Sequence, residues 1–157
     1  MPDTDVVAAL EARVLRLESE RDIQRLMVKY AMTLDYGDND AWAQCFTPDG
    51  IFDVRRRGEP MFSHVGTAAL AAFASTHTSA PAVYHKHFLS IPSVHIDGDS
   101  AHATTYFTML HEGLVEPKNG PVVLVFGRYI DDLVRSAGEW RFSTRVVDME
   151  ALPNTGG

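Results

Sequence analysis

The feature that most constrains this chain is a change in the period of its hydrophobic residues part-way along it. In the first half, apolar residues recur every three or four positions; from Val83 onward they alternate with polar ones. Helices first and long half-buried strands afterwards predict an α+β fold with segregated layers. N-terminal helices pack on a strongly curved antiparallel sheet and enclose a pocket, where a small ligand is naturally held.

Val7, Leu10, Val14 and Leu17 mark a first amphipathic helix after a loose start over residues 2–5. Ile23, Leu26, Met27, Tyr30, Ala31 and Leu34 form the apolar arc of a second helix. The two helices are either continuous or broken near Glu20 to Asp22, where Asp22 is able to cap a new start. Gly37 to Asp40 predicts a turn, with Asn39 or Asp40 capping a short helix through Trp42 and Cys45. A strand is expected over 51–54, a polar turn over 55–60 and a partner strand over 61–65. Thr67 is the expected N-cap of an Ala-rich helix ending near Thr76, followed by a loop over 77–82. The long strands are predicted at 84–96, 102–115, 122–134 and 140–149. Asp97-Gly98-Asp99, Asn119-Gly120 and Ser136-Ala137-Gly138 separate them, which makes an antiparallel meander. Pro92 should mark an edge or bulge. One domain is expected over 6–150, with a disordered tail over 151–157.

A formal net charge of −7 opposes general binding of nucleic acid or an anionic membrane, because the summed field repels phosphate. Arg55-Arg56-Arg57 is too short a basic run to reverse that. Cys45 is the only cysteine, so an intrachain disulfide and a cysteine-rich metal centre are both excluded. No secretory signal opens the sequence, and nothing approaches the roughly 20 apolar residues of a membrane span. A cytoplasmic location is the expectation.

Asp35 falls at the edge of the apolar arc of the second helix. A carboxylate there is costly unless solvated, hydrogen-bonded or used. It either ends the helix or serves a pocket fed by the same apolar face. Among seven histidines, His85, His87 and Leu89 share one face of their strand. Ala103, Thr105, Phe107, Met109 and His111 form one face of the next, and this smaller, more apolar set suits a cavity wall. His64, His77, His95 and His102 read as ordinary hydrogen-bonded or surface residues. A carboxylate against an imidazole fixes its tautomer and stabilises its protonated form, leaving the other nitrogen as a base near neutral pH. Asp35 with His87 would form such a pair. Tyr30 would supply a phenolic hydrogen bond and His111 a proton to a departing oxygen. Met27, Val54, Phe107 and Met109 are expected substrate-binding residues, with Arg145 pointing inward to hold an oxyanion or carboxylate. The remaining charges of the last two strands read as a solvated face or cross-strand pairs. Cys45 reads as core filler. The rival is a metal site built from His85, His87 and His111, on a His-x-His spacing that is weak alone. Nucleophile elbows, phosphate loops and HExxH patterns are absent.

The helix ending YAMTLD, the segments DAWAQCFTPDGIFDV and HKHFLSIPSVHID, and GRYIDDLVRSAGEWRFSTRVV together resemble the SnoaL-like branch of the NTF2-like superfamily. The resemblance covers about residues 7–149 and implies a cone of helices against a bent sheet. It is closest to the scytalone dehydratase, bile-acid 7α-dehydratase and hexachlorocyclohexane dehydrochlorinase types, which use an Asp–His pair without cofactor or metal. Asp35 and His87 match that pair, Tyr30 resembles a pocket tyrosine, and His111 matches a second histidine. Leu34 and Val54 stand where scytalone dehydratase has tyrosines, so scytalone itself is not the implied substrate. The epoxide hydrolases of the family use Arg–Asp pairs, a pattern this chain does not resemble. The resemblance implies a cofactor-free lyase, of dehydratase type, acting on a small hydroxylated cyclic or polyketide-like compound. An isomerase of a steroid- or polyketide-like ketone and a non-catalytic binding or accessory protein are the alternatives. It also implies a homodimer formed sheet to sheet.

Overall fold

The computed structural model describes residues 4–112 and 120–151. In chain order the elements are α1 (Thr4–Tyr36), α2 (Asn39–Ala43), β1 (Phe46–Arg56), β2 (Glu59–Val65), α3 (Thr67–Thr76), β3 (His85–Leu89), β4 (Ser93–Asp97), β5 (Ser100–Glu112), β6 (Pro121–Ser136) and β7 (Glu139–Ala151). The strands form one sheet in the order β2-β1-β7-β6-β5-β3, with β4 on the same edge of β5 as β3. Helices packed on one face of a curved, unclosed sheet make the expected α+β cone.

Several details differ from the sequence expectation, each for a physical reason. α1 runs unbroken from Thr4, so Thr4 and Asp5 are helical. No Gly or Pro interrupts the chain near Glu20, and Arg16–Glu20 and Asp22–Arg25 pairs bridge neighbouring turns at 3.1 and 3.4 Å. Asp38, rather than Asn39 or Asp40, caps α2, its carboxylate accepting from the Ala41 amide at 3.1 Å. Thr67 is the first helical residue of α3, and Gly66 holds the cap position. The strand expected over 84–96 is two strands, β3 and β4, split around Pro92 but both antiparallel to β5. The sheet is mixed, not wholly antiparallel: β1 lies parallel to β7. These two strands are far apart in sequence, so no tight turn forces them to run in opposite directions. Ala151 belongs to β7 rather than to a tail. Residues 152–157 and the expected turn residue Asn119 lie outside the described residues.

The closed end of the cone is filled by aromatic rings. Tyr30 meets Trp42 at 5.5 Å between centroids, Trp42 meets Phe46 at 5.2 Å, and Phe46 meets Phe142 at 5.4 Å. One cluster thereby ties α1, α2, β1 and β7 together. Cys45 is buried there; its thiol contacts the Ala41 carbonyl at 3.4 Å, and burial pushes its pKa up to about 11. It packs as filler and is poorly disposed to act as a thiolate.

β6 and β7 approach closely at Gly127, where the pairing register shifts. A Cβ at that position would collide with the Asp148 carbonyl on β7, so the close approach requires glycine. Gly127→Ala is expected to lower stability by about 1–3 kcal/mol. Equilibrium chemical denaturation checks this, and an unchanged midpoint would contradict the close approach.

Candidate active site

The site begins where α1 stops. Gly37, at φ +77°, donates to the Leu34 carbonyl at 3.4 Å, and the Asp38 amide donates to that of Thr33 at 2.9 Å. This pair of bonds is a Schellman ending, which favours glycine at the left-handed position. Asp35 is thereby fixed in the last turn of the helix. A carboxylate there lies at the negative end of the helix dipole and needs compensation from outside the helix. Its own carbonyl accepts from the Ala80 amide at 3.0 Å, drawing the loop after α3 against the helix end.

Compensation comes from β3, the edge strand. Every second amide of an edge strand lacks a sheet partner. The His87 amide donates to Asp35 Oδ2 at 3.2 Å, and His87 Nδ1 lies 2.6 Å from Asp35 Oδ1. One carboxylate therefore grips one residue twice. An ionised carboxylate only accepts, so Nδ1 carries a proton towards it, and Nε2 lies on the other side of the ring. His85 Nε2 also stands 3.2 Å from Asp35 Oδ1, but its direction is not that of a hydrogen bond. Burial alone would raise the Asp35 pKa; the approach of both imidazoles and the His87 amide instead carries it well below the usual carboxylate range. Asp35 is 4% exposed and the His87 side chain 7%.

Two further histidines surround this pair in ways the sequence did not reveal. His77 follows α3 and lies near His85 and His87, with ring centroids 4.8 and 6.0 Å away. Its Nδ1 donates to the Thr78 carbonyl at 2.9 Å, which leaves Nε2 as an acceptor. Burial pushes its pKa down to about 4. The sequence marks it only as a loop residue, because loops carry no periodicity from which a facing can be read. His111 pairs with His85 across β3 and β5, its ring 6.1 Å from that of His85. Its Nδ1 donates to the Glu112 carbonyl at 2.8 Å, and it borders a surface hollow with Tyr84 and Pro121 instead of the cavity. The expected role of His111 as proton donor to a leaving group is therefore corrected: it stays on the buried face of β5, but near the end of the strand, beside His85 and outside the cavity lining.

The cavity beside His87 has a volume of about 280 Å³. Tyr30, Val54, Phe107 and Met109 line it as expected, together with His77 and Tyr129. Larger hollows occur elsewhere, such as the one bordered by Asp22, Arg25, Lys29 and Arg141, but charged surface residues line it. Met27 lies behind the wall, its sulfur in contact with Arg145 Nη2 at 2.7 Å. Arg145 also departs from expectation. It is fully buried, and its Nε and Nη2 bond to both oxygens of Asp131, its cross-strand partner, at 2.8 and 2.7 Å. The rings of Tyr30, Tyr129 and Phe142 box in the guanidinium at 4.1, 4.1 and 3.9 Å. Burial opposes its charge, but Asp131 outweighs burial and raises its pKa above the ordinary value. A guanidinium whose Nε and Nη2 are matched to a carboxylate supports the cavity wall, while its buried Nη1 has no hydrogen-bond partner among the described residues. Burial also pushes the Tyr30 hydroxyl up to about 12, so it remains a neutral donor.

One atom each from Asp35, His85 and His87 lies within 4.8 Å of the others, a spacing a metal ion could bridge. Ligands around zinc each stand about 2.0–2.2 Å from the ion, which sets them more than 3 Å apart. The 2.6 Å contact between Asp35 and His87 is instead that of a charge-assisted hydrogen bond.

A family model for the SnoaL-like domain matches residues 15–146. The chain belongs to the SnoaL-like domain family. An NTF2-like protein with a cystatin-like fold from Novosphingobium aromaticivorans is similar at 24% identity and a TM-score of 0.77, covering 100% of this chain and 94% of its own. A protein of unknown function from Mycobacterium tuberculosis, Rv3472, solved as an aspartate-to-asparagine variant, is 28% identical with a TM-score of 0.71, covering 94% and 77%. A third, from Novosphingobium aromaticivorans and provisionally described as a scytalone dehydratase, is 21% identical with a TM-score of 0.72, covering 90% and 91%. None of the curated proteins compared with this SnoaL-like chain matches it.

Two predictions follow from these contacts. Asp131→Ala leaves the Arg145 charge buried without its partner and should cost about 3–5 kcal/mol in denaturant unfolding. His77, depressed by burial in the fold from the ordinary value of 6.5 to about 4, binds fewer protons in the native state than in the unfolded chain between those values. Its contribution is complete above about pH 6.5 and is lost as pH falls toward 4. His77→Gln should flatten the rise of Tm with pH across that window, as followed by thermal melts.

Proposed function

We propose that this SnoaL-like protein is a cofactor-free lyase that removes water from a small hydroxylated cyclic or polyketide-like compound. The observation that carries the reading is the doubly held Asp35–His87 pair, with His87 on the wall of an apolar cavity. His87 Nε2 takes a proton from the carbon next to a carbonyl. The electrons released form the double bond and expel hydroxide from the neighbouring carbon. The imidazolium, stabilised by Asp35, passes its proton to that hydroxide, so water leaves and His87 returns to its neutral form. One imidazole serving as both base and acid implies loss of both groups from the same face of the substrate. Tyr30, neutral by burial, donates to the substrate carbonyl as charge develops on it. His77 Nε2 accepts from a substrate hydroxyl.

The cavity lining favours an uncharged, compact cyclic substrate, since Asp131 neutralises Arg145 beneath the wall. The provisional dehydratase among the structural neighbours is consistent with this class, though at its identity it supports the fold alone. A proton shift within a ketone is the second reading. It is favoured by the placement of His111 outside the cavity, because returning a proton to carbon needs only the one base. No helix of the described residues is long and apolar enough to cross a membrane, and the acidic balance fits action in the cytoplasm. Tyr106 and Phe126, both exposed on the sheet face turned from the helices, suit pairing of two copies sheet to sheet.

The test is ligand capture by mass spectrometry, followed by turnover of a panel of β-hydroxy ketones and thioesters. Asp35→Asn and His87→Ala should each lower kcat by about 10²–10⁴-fold while the far-ultraviolet circular dichroism stays unchanged. Product lighter by one water identifies elimination, and product of unchanged mass identifies the proton shift. Ligand retained without turnover, or turnover indifferent to both substitutions, would leave a binding protein instead.

A further inference from the structure

The first fifteen described residues of α1, 4–18, are exposed throughout, while its buried residues begin at Ser19. At 1.5 Å per residue this is a helical arm about 22 Å long projecting beyond its own domain. Its surface is not that of a solvated helix. Val7, Leu10, Val14 and Leu17 are 38, 54, 52 and 62% exposed and recur at alternating spacings of three and four residues. In heptad terms Val7 and Val14 take the a positions, and Leu10 and Leu17 the d positions. β-Branched residues at a with leucine at d is the combination that favours a parallel two-stranded coiled coil.

We propose that this arm pairs, parallel and in register, with the arm of a second copy of the chain. The flanking charges agree with that partner and orientation. In a parallel pair each g residue faces the following e residue of the other helix. Arg13 then meets Glu18 of the second copy, a contact that occurs twice by symmetry. An antiparallel pair would set e against e, where Glu11 and Glu18 repel. The seam ends where Arg21 and Gln24 occupy the next a and d positions. The face that α1 buries against its own sheet, through Ile23, Leu26 and Tyr30, lies roughly opposite the seam round the helix. Two arms can therefore meet along the seam with the two domains on the outside, without collision. The contact is separate from the sheet face and independent of the chemistry proposed for the cavity.

Cysteine cross-linking and sedimentation test it on the full chain. Leu10→Cys and Leu17→Cys should each form a covalent dimer under mild oxidation, since identical d positions face each other only in the parallel register. Leu15→Cys, at an outward b position, should not; Cys45 is buried in every variant. Leu10→Asp combined with Leu17→Asp should halve the sedimenting mass, whether the sheet face also pairs or not, with circular dichroism verifying the fold. Equal cross-linking at position 15, failure to cross-link at 10 and 17, or an unchanged mass in the double variant would overturn the proposal.

Discussion

The structure depends on one carboxylate joining a helix end to a sheet edge. Asp35 bonds to both the backbone and the ring of His87, so the same contact that docks α1 onto β3 also orients the imidazole. Each half by itself leaves a polar group unmet. An acidic residue in the last turn opposes the helix dipole, and an edge-strand amide lacks a partner. Each supplies what the other needs. The position of the ring is thus set by main-chain geometry rather than by a flexible side chain reaching across the cavity, which is the rigidity a proton-transferring group requires.

A second polar joint supports the opposite wall. Arg145 and Asp131 are wholly buried cross-strand neighbours, and aromatic rings from α1, β6 and β7 enclose the guanidinium. Their mutual bonds offset the cost of desolvating both charges and leave the cavity lined by uncharged groups. Tyr30 belongs to both regions, touching the aromatic cluster at the closed end and lining the cavity. The two joints together separate the places of the charged groups: one pair sets His87 on the cavity wall, and the other lies buried behind it.

Much of this was legible in the sequence. The change of period from helical to alternating predicted the layers, because a half-buried helix and a half-buried strand require different spacings of apolar residues. Asp35 was conspicuous as a carboxylate at the edge of an apolar arc, and alternation placed His87, Phe107 and Met109 on inward faces. Alternation held through His111, which is buried on the same face as Phe107 and Met109, but it carries no information on where along the strand the cavity lining stops. Arg145 was read as a cavity residue able to hold a substrate anion, and its buried partner Asp131 was not foreseen, since pairing across strands depends on a register that no local pattern encodes. His77 carried no signal at all.

The sequence by itself determined the order of elements, the apolar faces and the residue types able to form an acid–base pair, since these follow from local spacing and side-chain chemistry. The unpartnered heptad of the α1 arm was equally plain in it, although it read there as an ordinary amphipathic helix. Tertiary structure alone decided that His77 stands beside His87, that Asp131 neutralises Arg145, and that the arm's apolar stripe stays exposed among the described residues. Those outcomes rest on distances between residues remote along the chain, where bulges, register and edge positions act.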